Sequence, residues 1–474
     1  MHILSYSIQH NDLAGKHVTL LGLGKFGGGV ATVRFLAEKG ARVTVVDAKP
    51  AEALQESLQK LENCSEVTFR LGDQSPELPV TEILVVNPAI PPEHALLKYV
   101  AQQQIPVTSE IELFWQLNPG RVIGVTGSNG KSTTTAMIHG ILKAAGRRCW
   151  LGGNIGISLL PELEKIQSED WVVLELSSFQ LEALNRIQAS PQIAVVTNFS
   201  PNHLDWHQTL PHYRQAKQAI MRWQTETDVA VLNQDDLELL SWITPGRALY
   251  FGTQADRLLD LFFDEHRFQI KEQRAVPFPR LKVPGLHNRY NAAAAMTACL
   301  AAGIAAQDLN QGLESFNGLP HRLEYVGEYQ QRRFYNDSLA TTPESAICAL
   351  EAFQESAVIL LAGGSNKQVD LSAFINQIRC QTKATALMGQ TGKLMYDLMQ
   401  AQQDSVLKQE QALISQPQAS FEDAFNWAFQ QSAPGDVILL SPGCASYDWF
   451  SSFVERGERF TALFQRLSES NEPD

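Results

Sequence analysis

Short apolar runs of four to six residues recur along this chain, and helix-length stretches separate them. That alternation restricts it to an α/β fold class with mainly parallel sheets. In the first third, Val18–Leu21 reads as a strand, followed by a Gly-rich turn, a helix from about Gly29 to Lys39, and strand Arg42–Asp47. Strand Glu82–Asn87 ends at Pro88, and a boundary falls near Pro119–Gly120. The middle third has strands Arg121–Thr126, Trp171–Leu176, Ile193–Asn198 and Asp228–Asn233, then a hairpin-like stretch over Leu261–Ile270. A helix beginning near His287 and the run to Leu319-Pro320 close it. The last third has strands Arg333–Asn336, Ala357–Leu361, Ala384–Met388 and Val437–Leu440. At about 100–200 residues per domain, 474 residues make three domains: 1–118, 119–320 and 321–474.

Composition narrows the function. A net charge of -13 argues against a general nucleic-acid binder, which needs a basic field. The Ala-rich run Ala292–Ala306, broken by Gly303, is shorter than the ~20 residues that span a bilayer and reads as a buried helix. The six cysteines form no CxxC pair and read as free thiols in a reducing compartment. The first sixteen residues lack a secretory apolar segment, so a cytoplasmic protein without membrane insertion is expected.

The strongest chemical signal is Gly124-Val125-Thr126-Gly127-Ser128-Asn129-Gly130-Lys131-Ser132-Thr133. A strand runs into it and a helix runs out. Glycines let such a loop turn its N–H groups onto phosphate oxygens. Lys131 can reach the β- and γ-phosphates of ATP, and the Ser132 hydroxyl can ligate Mg²⁺. The spacing departs from the usual phosphate loop, which wants Gly where Val125 stands. Glu175, near the end of strand Trp171–Leu176, and His203, just beyond strand Ile193–Asn198, are placed where ligands gather in open parallel sheets. Either could hold Mg²⁺, or be a strand-end cap and an exposed loop histidine. Gly22-Leu23-Gly24-Lys25-Phe26-Gly27 with Asp47 twenty residues on is a dinucleotide-binding pattern, open to NAD or FAD.

The form Thr-Gly-Ser-Asn-Gly-Lys-Ser-Thr resembles the Mur ligases and their folylpolyglutamate synthetase relatives. Glu175-Leu176-Ser177-Ser178-Phe179-Gln180 is similar to the signature of the glutamate-adding branch, and Gly152-Gly153-Asn154-Ile155-Gly156, His203-Leu204-Asp205, His212–Lys217, Leu286–Asn291 and Leu319–Glu324 match in order. The resemblance spans about Gly22 to Phe453. It implies a Rossmann-like N-terminal domain for the UDP-substrate, a central P-loop-type ATPase domain, and a Rossmann-like C-terminal domain. It implies ATP contacts from Gly127, Ser128, Asn129, Gly130, Lys131, Ser132, Thr133, Asn154, Asn288, Asn291, Arg322 and Asp337. Two Mg²⁺ ions are implied on Ser132, Glu175, His203 and a carbamylated Lys217, with Lys131, His203 and Lys217 as the catalytic set. The UDP end falls to Gly24, Lys25, Phe26, Asp47, Lys49 and Asn87, and the glutamate to Thr341, Lys367, Ser446, Tyr447 and Phe453.

The implied partners are UDP-N-acetylmuramoyl-L-alanine and D-glutamate, joined by a monomer through an acyl phosphate that closure of the last domain shields from water. Three departures stand out. Relatives have lysine where Leu339 stands, an acid where Asn202 stands, and Ser-Pro-Gly-Ile where Asn87-Pro88-Ala89-Ile90 stands. The alternatives are a Mur-type ligase adding another amino acid, a folylpolyglutamate synthetase-like ligase, an NAD-dependent oxidoreductase and a non-catalytic nucleotide binder.

Overall fold

The computed structural model describes residues 4–6, 13–24, 27–64, 66–73, 78–254, 259–271, 273–366, 369–401 and 412–469. They form two compact units, Met1–Pro279 with Tyr290–Leu313, and Arg280–Arg289 with Glu314–Asp474.

The first unit holds two sheets. One has five parallel strands in the order Val67–Leu71, Arg42–Asp47, His17–Leu21, Ile83–Val86 and Val107–Thr108. The other has nine, in the order Val276–Pro277, Arg267–Ile270, Leu261–Phe263, Arg247–Gly252, Val229–Asn233, Ile193–Val196, Arg121–Thr126, Trp171–Glu175 and Cys149–Gly153. The pairings in this sheet are parallel except the two at the Val276–Pro277 end, which are antiparallel, so the hairpin expected over 261–270 is present. A single buried cluster joins Phe35 and Leu36 of the first layer, Phe114 of helix Glu110–Leu117, and Leu160 and Leu184 of the second. That shared core makes the two sheets one unit, because truncating an aromatic within it costs about 3–5 kcal/mol.

Helix Leu286–Ala301 is apolar on every side along its middle, and Ala292, Ala295, Met296 and Cys299 are fully buried. Gly303, with φ 81°, follows its end, as expected for a helix that stops at a left-handed residue. Among the described residues no helix is long and apolar enough to cross a membrane. All six cysteines are free thiols.

The second unit is built on six strands, Glu324–Tyr329, Arg332–Asn336, Val437–Leu440, Val358–Gly363, Thr382–Met388 and Leu413–Ile414 in spatial order. Its first pair is antiparallel and the others parallel. Both faces are buried. Phe374, Ile375 and Met395 pack on one side, and Phe334, Phe425 and Phe460 on the other. Successive residues of Val358–Gly363 alternate between these clusters, Val358, Leu360 and Ala362 on the first side and Ile359 and Leu361 on the second, as the strand period of two requires.

Candidate active site

The glycine-rich loop lies between strand Arg121–Thr126 and helix Lys131–Ala144, so its N–H groups stand at a helix N-terminus, where the backbone dipoles favour an anion. Glycine is required at two positions. A Cβ on Gly127 would lie 2.0 Å from Thr197 Oγ1, and one on Gly130 would lie 2.2 Å from Asn291 Oδ1. The loop is braced from the neighbouring strand end. Asn129 N donates to Asn198 Oδ1 at 2.8 Å, Thr197 Oγ1 donates to Asn129 O at 2.6 Å, and Ser200 N donates to Ser128 Oγ at 2.8 Å. Ser132 and Thr133, in the first turn of the helix, are half-buried.

Two lysines converge on this loop. Lys131 Nζ donates to the carbonyls of Gly127 and Ser128, each at 3.0 Å. Lys217 Nζ donates to the same Gly127 carbonyl at 2.7 Å. Lys217 projects from helix Leu210–Arg222, is 2% exposed, and sits 4.9 Å from the ring of Tyr213, one turn earlier. Burial, reinforced by the charge on Lys131 and opposed by Glu175, holds its pKa well below the usual lysine value. Desolvation penalises an ammonium, and a second cation beside it adds to the penalty.

Glu175 ends its strand and is buried. Asn154 Nδ2 donates to its Oε1 at 2.7 Å, while Oε2 has no hydrogen-bond partner among the described residues. A buried carboxylate oxygen left in that condition suits a hard dication. The residues present therefore fit Mg²⁺.

His203 follows strand Ile193–Val196 with φ 51°, a left-handed conformation costly for a residue with a Cβ. Asn202 Oδ1 accepts its N–H at 2.8 Å, a contact that an acid at 202 would also make. Asn291 reaches the loop, and Thr134 Oγ1 lies 3.3 Å from its Oδ1. Asn288, three residues earlier, instead donates to Pro284 O at 2.6 Å.

At the first sheet, Asp47 Oδ2 accepts from Leu23 N at 2.8 Å and Gly24 N at 3.3 Å, and Oδ1 accepts from Lys49 N at 2.9 Å. The carboxylate thus ties down the glycine turn. Asn87 is similarly engaged, donating to Gly22 O at 3.2 Å and accepting from Ala89 N at 3.0 Å. Lys25, Phe26 and Lys367 lie outside the described residues.

In the second unit the loops at the strand ends are bonded to one another. Ser441 Oγ donates to Asp337 Oδ2 at 2.7 Å, and Ser365 N donates to Ala445 O at 2.8 Å. Asp337 is buried and also accepts from Leu323 N at 3.1 Å. Burial raises its pKa to about 7. Arg322 is exposed, Thr341 and Phe453 are half-buried, Ser446 is buried, and Tyr447 is 70% exposed. Leu339 is 40% exposed.

Arg456, which the sequence did not single out, is buried and donates to Ser338 Oγ, Ser338 O and Cys444 O at 3.0, 2.8 and 3.0 Å. It fastens the Asp337 loop to the Ser441–Ser446 loop. Tyr213 was also missed, although its spacing of four from Lys217 puts both on one helix face.

Strand ends, glycine loop, paired lysines and a buried carboxylate define an α/β protein built to handle phosphates. Family profiles place it further. Profiles for the MurD-like N-terminal domain, the Mur ligase middle domain and the glutamate ligase domain match residues 16–109, 125–299 and 321–444. "UDP-N-acetylmuramoylalanine--D-glutamate ligase" of Geobacillus kaustophilus is 37% identical over 95% of this chain and 98% of its own length. The protein of that name from Clostridium tetani is 34% identical over 95% and 97%. UDP-N-acetylmuramate-alanine ligase MurC of Thermotoga maritima has the same fold, with a TM-score of 0.58, 19% identity and coverage of 95% and 100%. The chain belongs to the Mur ligase family.

Proposed function

We propose that the chain joins D-glutamate to UDP-N-acetylmuramoyl-L-alanine at the expense of ATP, as a cytoplasmic monomer that makes a peptidoglycan precursor. Full-length similarity to relatives bearing that name supports the substrates. The observation that carries the chemistry is the convergence of Lys131 and Lys217 on the Gly127 carbonyl. The domains run 1–118, 119–320 and 321–474, with UDP, ATP and glutamate contacts on the residues named from the sequence.

A free carboxylate is a poor electrophile. Its oxygen first attacks the γ-phosphorus of ATP, ADP leaves, and the glutamate amine then attacks the acyl carbon and expels phosphate. Loop N–H groups and Lys131 hold the transferring phosphoryl group and offset its charge. Asn154 orients Glu175 through its 2.7 Å bond. Ser132, Glu175, His203 and carbamylated Lys217 would hold two Mg²⁺, which when bound neutralise phosphate charge. The depressed pKa of Lys217 favours carbamylation, because only a neutral amine adds to CO₂. The N–C bond forms, the amine nitrogen gives up one proton, and a neutral amine becomes an anion with two oxygen ligands. Asp47 and Asn87 keep the glycine turn in shape for the UDP end.

Substrate labelled with ¹⁸O in the alanyl carboxylate tests the order of steps. One labelled oxygen should appear in the released phosphate. Unlabelled phosphate with amide product formed would exclude the acyl phosphate.

A further inference from the structure

Beside the phosphate loop, three short elements bring together side chains that the ligase chemistry does not use. Glu182 lies on helix Ser178–Arg186, His207 ends helix Leu204–His207, and His212 opens helix Leu210–Arg222. One ring nitrogen from each histidine and one Glu182 oxygen lie within 4.8 Å of one another. We propose that Glu182, His207 and His212 form a site for a transition-metal dication of the Zn²⁺ type, distinct from the Mg²⁺ ligands.

The hydrogen bonds set the problem that such an ion solves. His212 Nδ1 lies 3.0 Å from His207 O. A carbonyl only accepts, so the proton of neutral His212 sits on Nδ1. Nε2 then presents a lone pair, yet it faces Glu182 Oε1 at 3.0 Å, which is also an acceptor when ionised. The contact requires a bridging proton or a cation. Burial raises the Glu182 pKa, a cost of charge that a dication would relieve.

The supporting contacts are those that ligating histidines use. Ser178 Oγ sits 2.9 Å from His207 Nε2 and orients that fully buried ring, while the His207 carbonyl fixes the tautomer of His212. Two imidazoles and a carboxylate are a zinc donor set, whereas Mg²⁺ prefers oxygen alone. Metal–ligand bonds of about 2.0–2.2 Å put tetrahedral ligand atoms roughly 3.3–3.6 Å apart, so small side-chain rotations close the site. Glu182 and His212 also line a 480 Å³ cavity between the first two sheets, together with Asn87, Ile90, Phe179 and Trp206. A fourth ligand, water or an anionic group, has room there.

Metal-stripped full-length protein in saturating Mg²⁺ is titrated with ZnCl₂ by calorimetry, and Co²⁺ is used as a visible-absorption probe. The expected result is one tight Zn²⁺ site and cobalt bands of nitrogen and oxygen ligation with no thiolate charge-transfer band. His212→Gln and Glu182→Gln, whose side chains are 42% and 27% exposed, should each weaken Zn²⁺ binding at least tenfold. Absence of Zn²⁺ binding, wild-type affinity in both variants, or a thiolate–cobalt band from the free cysteines would overturn the proposal. If either variant fails to fold, the cobalt spectrum of the wild-type protein decides alone.

Discussion

Lys217 shows how little a single residue discloses before its neighbours are known. As a letter in the sequence it is one more helix lysine. Its character comes from a carbonyl at 2.7 Å, from burial and from a second lysine on the same oxygen, none of which is encoded locally. The carbamate proposed for Lys217 comes from family resemblance, and the depressed pKa that burial and Lys131 give it is compatible with that proposal. Lys217→Ala should be inactive in ADP formation, and acetate or another small carboxylate should restore part of the rate by filling the vacated space with oxygens. Full activity without added acid would remove Lys217 from the reaction. Lys131→Ala should lose ~10²–10³-fold in turnover, the usual cost of a deleted transition-state charge contact, with an unchanged circular dichroism spectrum. Asp337 permits a stability test. Its folded pKa of about 7 lies above the unfolded value of 3.8, so the folded state binds more protons between them. That contribution is complete below pH 3.8 and is lost as pH rises through 7. Against Asp337→Asn, the wild type should lose roughly 2 kcal/mol of unfolding free energy between pH 5 and 7, read by urea denaturation. Parallel curves would place the carboxyl in a less buried setting.

Central strands were legible and edges were not. Arg42–Asp47, Arg121–Thr126 and Val437–Leu440 match their sequence readings end for end, because strands buried on both faces are continuous apolar runs. Val67–Leu71 alternates half-buried and exposed residues at a sheet edge, and Cys149–Gly153 ends in two glycines. Neither carries enough apolar signal to stand out from a loop. The first glycine turn shows which glycine the packing needs. In dinucleotide motifs the third glycine lets the helix approach the strand. In the fold Gly27 is the left-handed N-cap, with no neighbour within 4 Å of a Cβ, while a Cβ on Gly29 would lie 2.0 Å from Leu23 O. Gly29→Ala should therefore displace helix Gly28–Glu38 and lower stability by about 2 kcal/mol or more, in the range of overpacked cores. Gly28→Ala meets nothing within 4 Å and should be neutral or gain ~0.5–1 kcal/mol. Thermal unfolding of the two variants compares them directly, and equal melting temperatures would mean the turn tolerates a side chain at 29.

Across the whole molecule, three nucleotide-fold sheets suit a reaction with three reactants, and the family profiles fall one on each sheet in order. Full-length kinship with ligases displaces the oxidoreductase reading of Gly22–Gly27, which rested on the glycine pattern alone. The departures are less damaging than their letters suggest. Asn202 retains the acceptor for the His203 N–H, and Leu339 is a partly exposed side chain whose own N–H bonds to His321 O at 2.9 Å, so the loop keeps its shape without the lysine. What the loop lacks is one positive charge. The most direct measurement is phosphate release from ATP in the presence of UDP-N-acetylmuramoyl-L-alanine with D-glutamate or L-glutamate, with mass analysis of the product. The expected result is phosphate released only when the UDP-substrate and D-glutamate are both present, one phosphate per glutamyl amide formed. Phosphate release independent of the UDP-substrate, amide formation with L-glutamate alone, or no amide at all would contradict it.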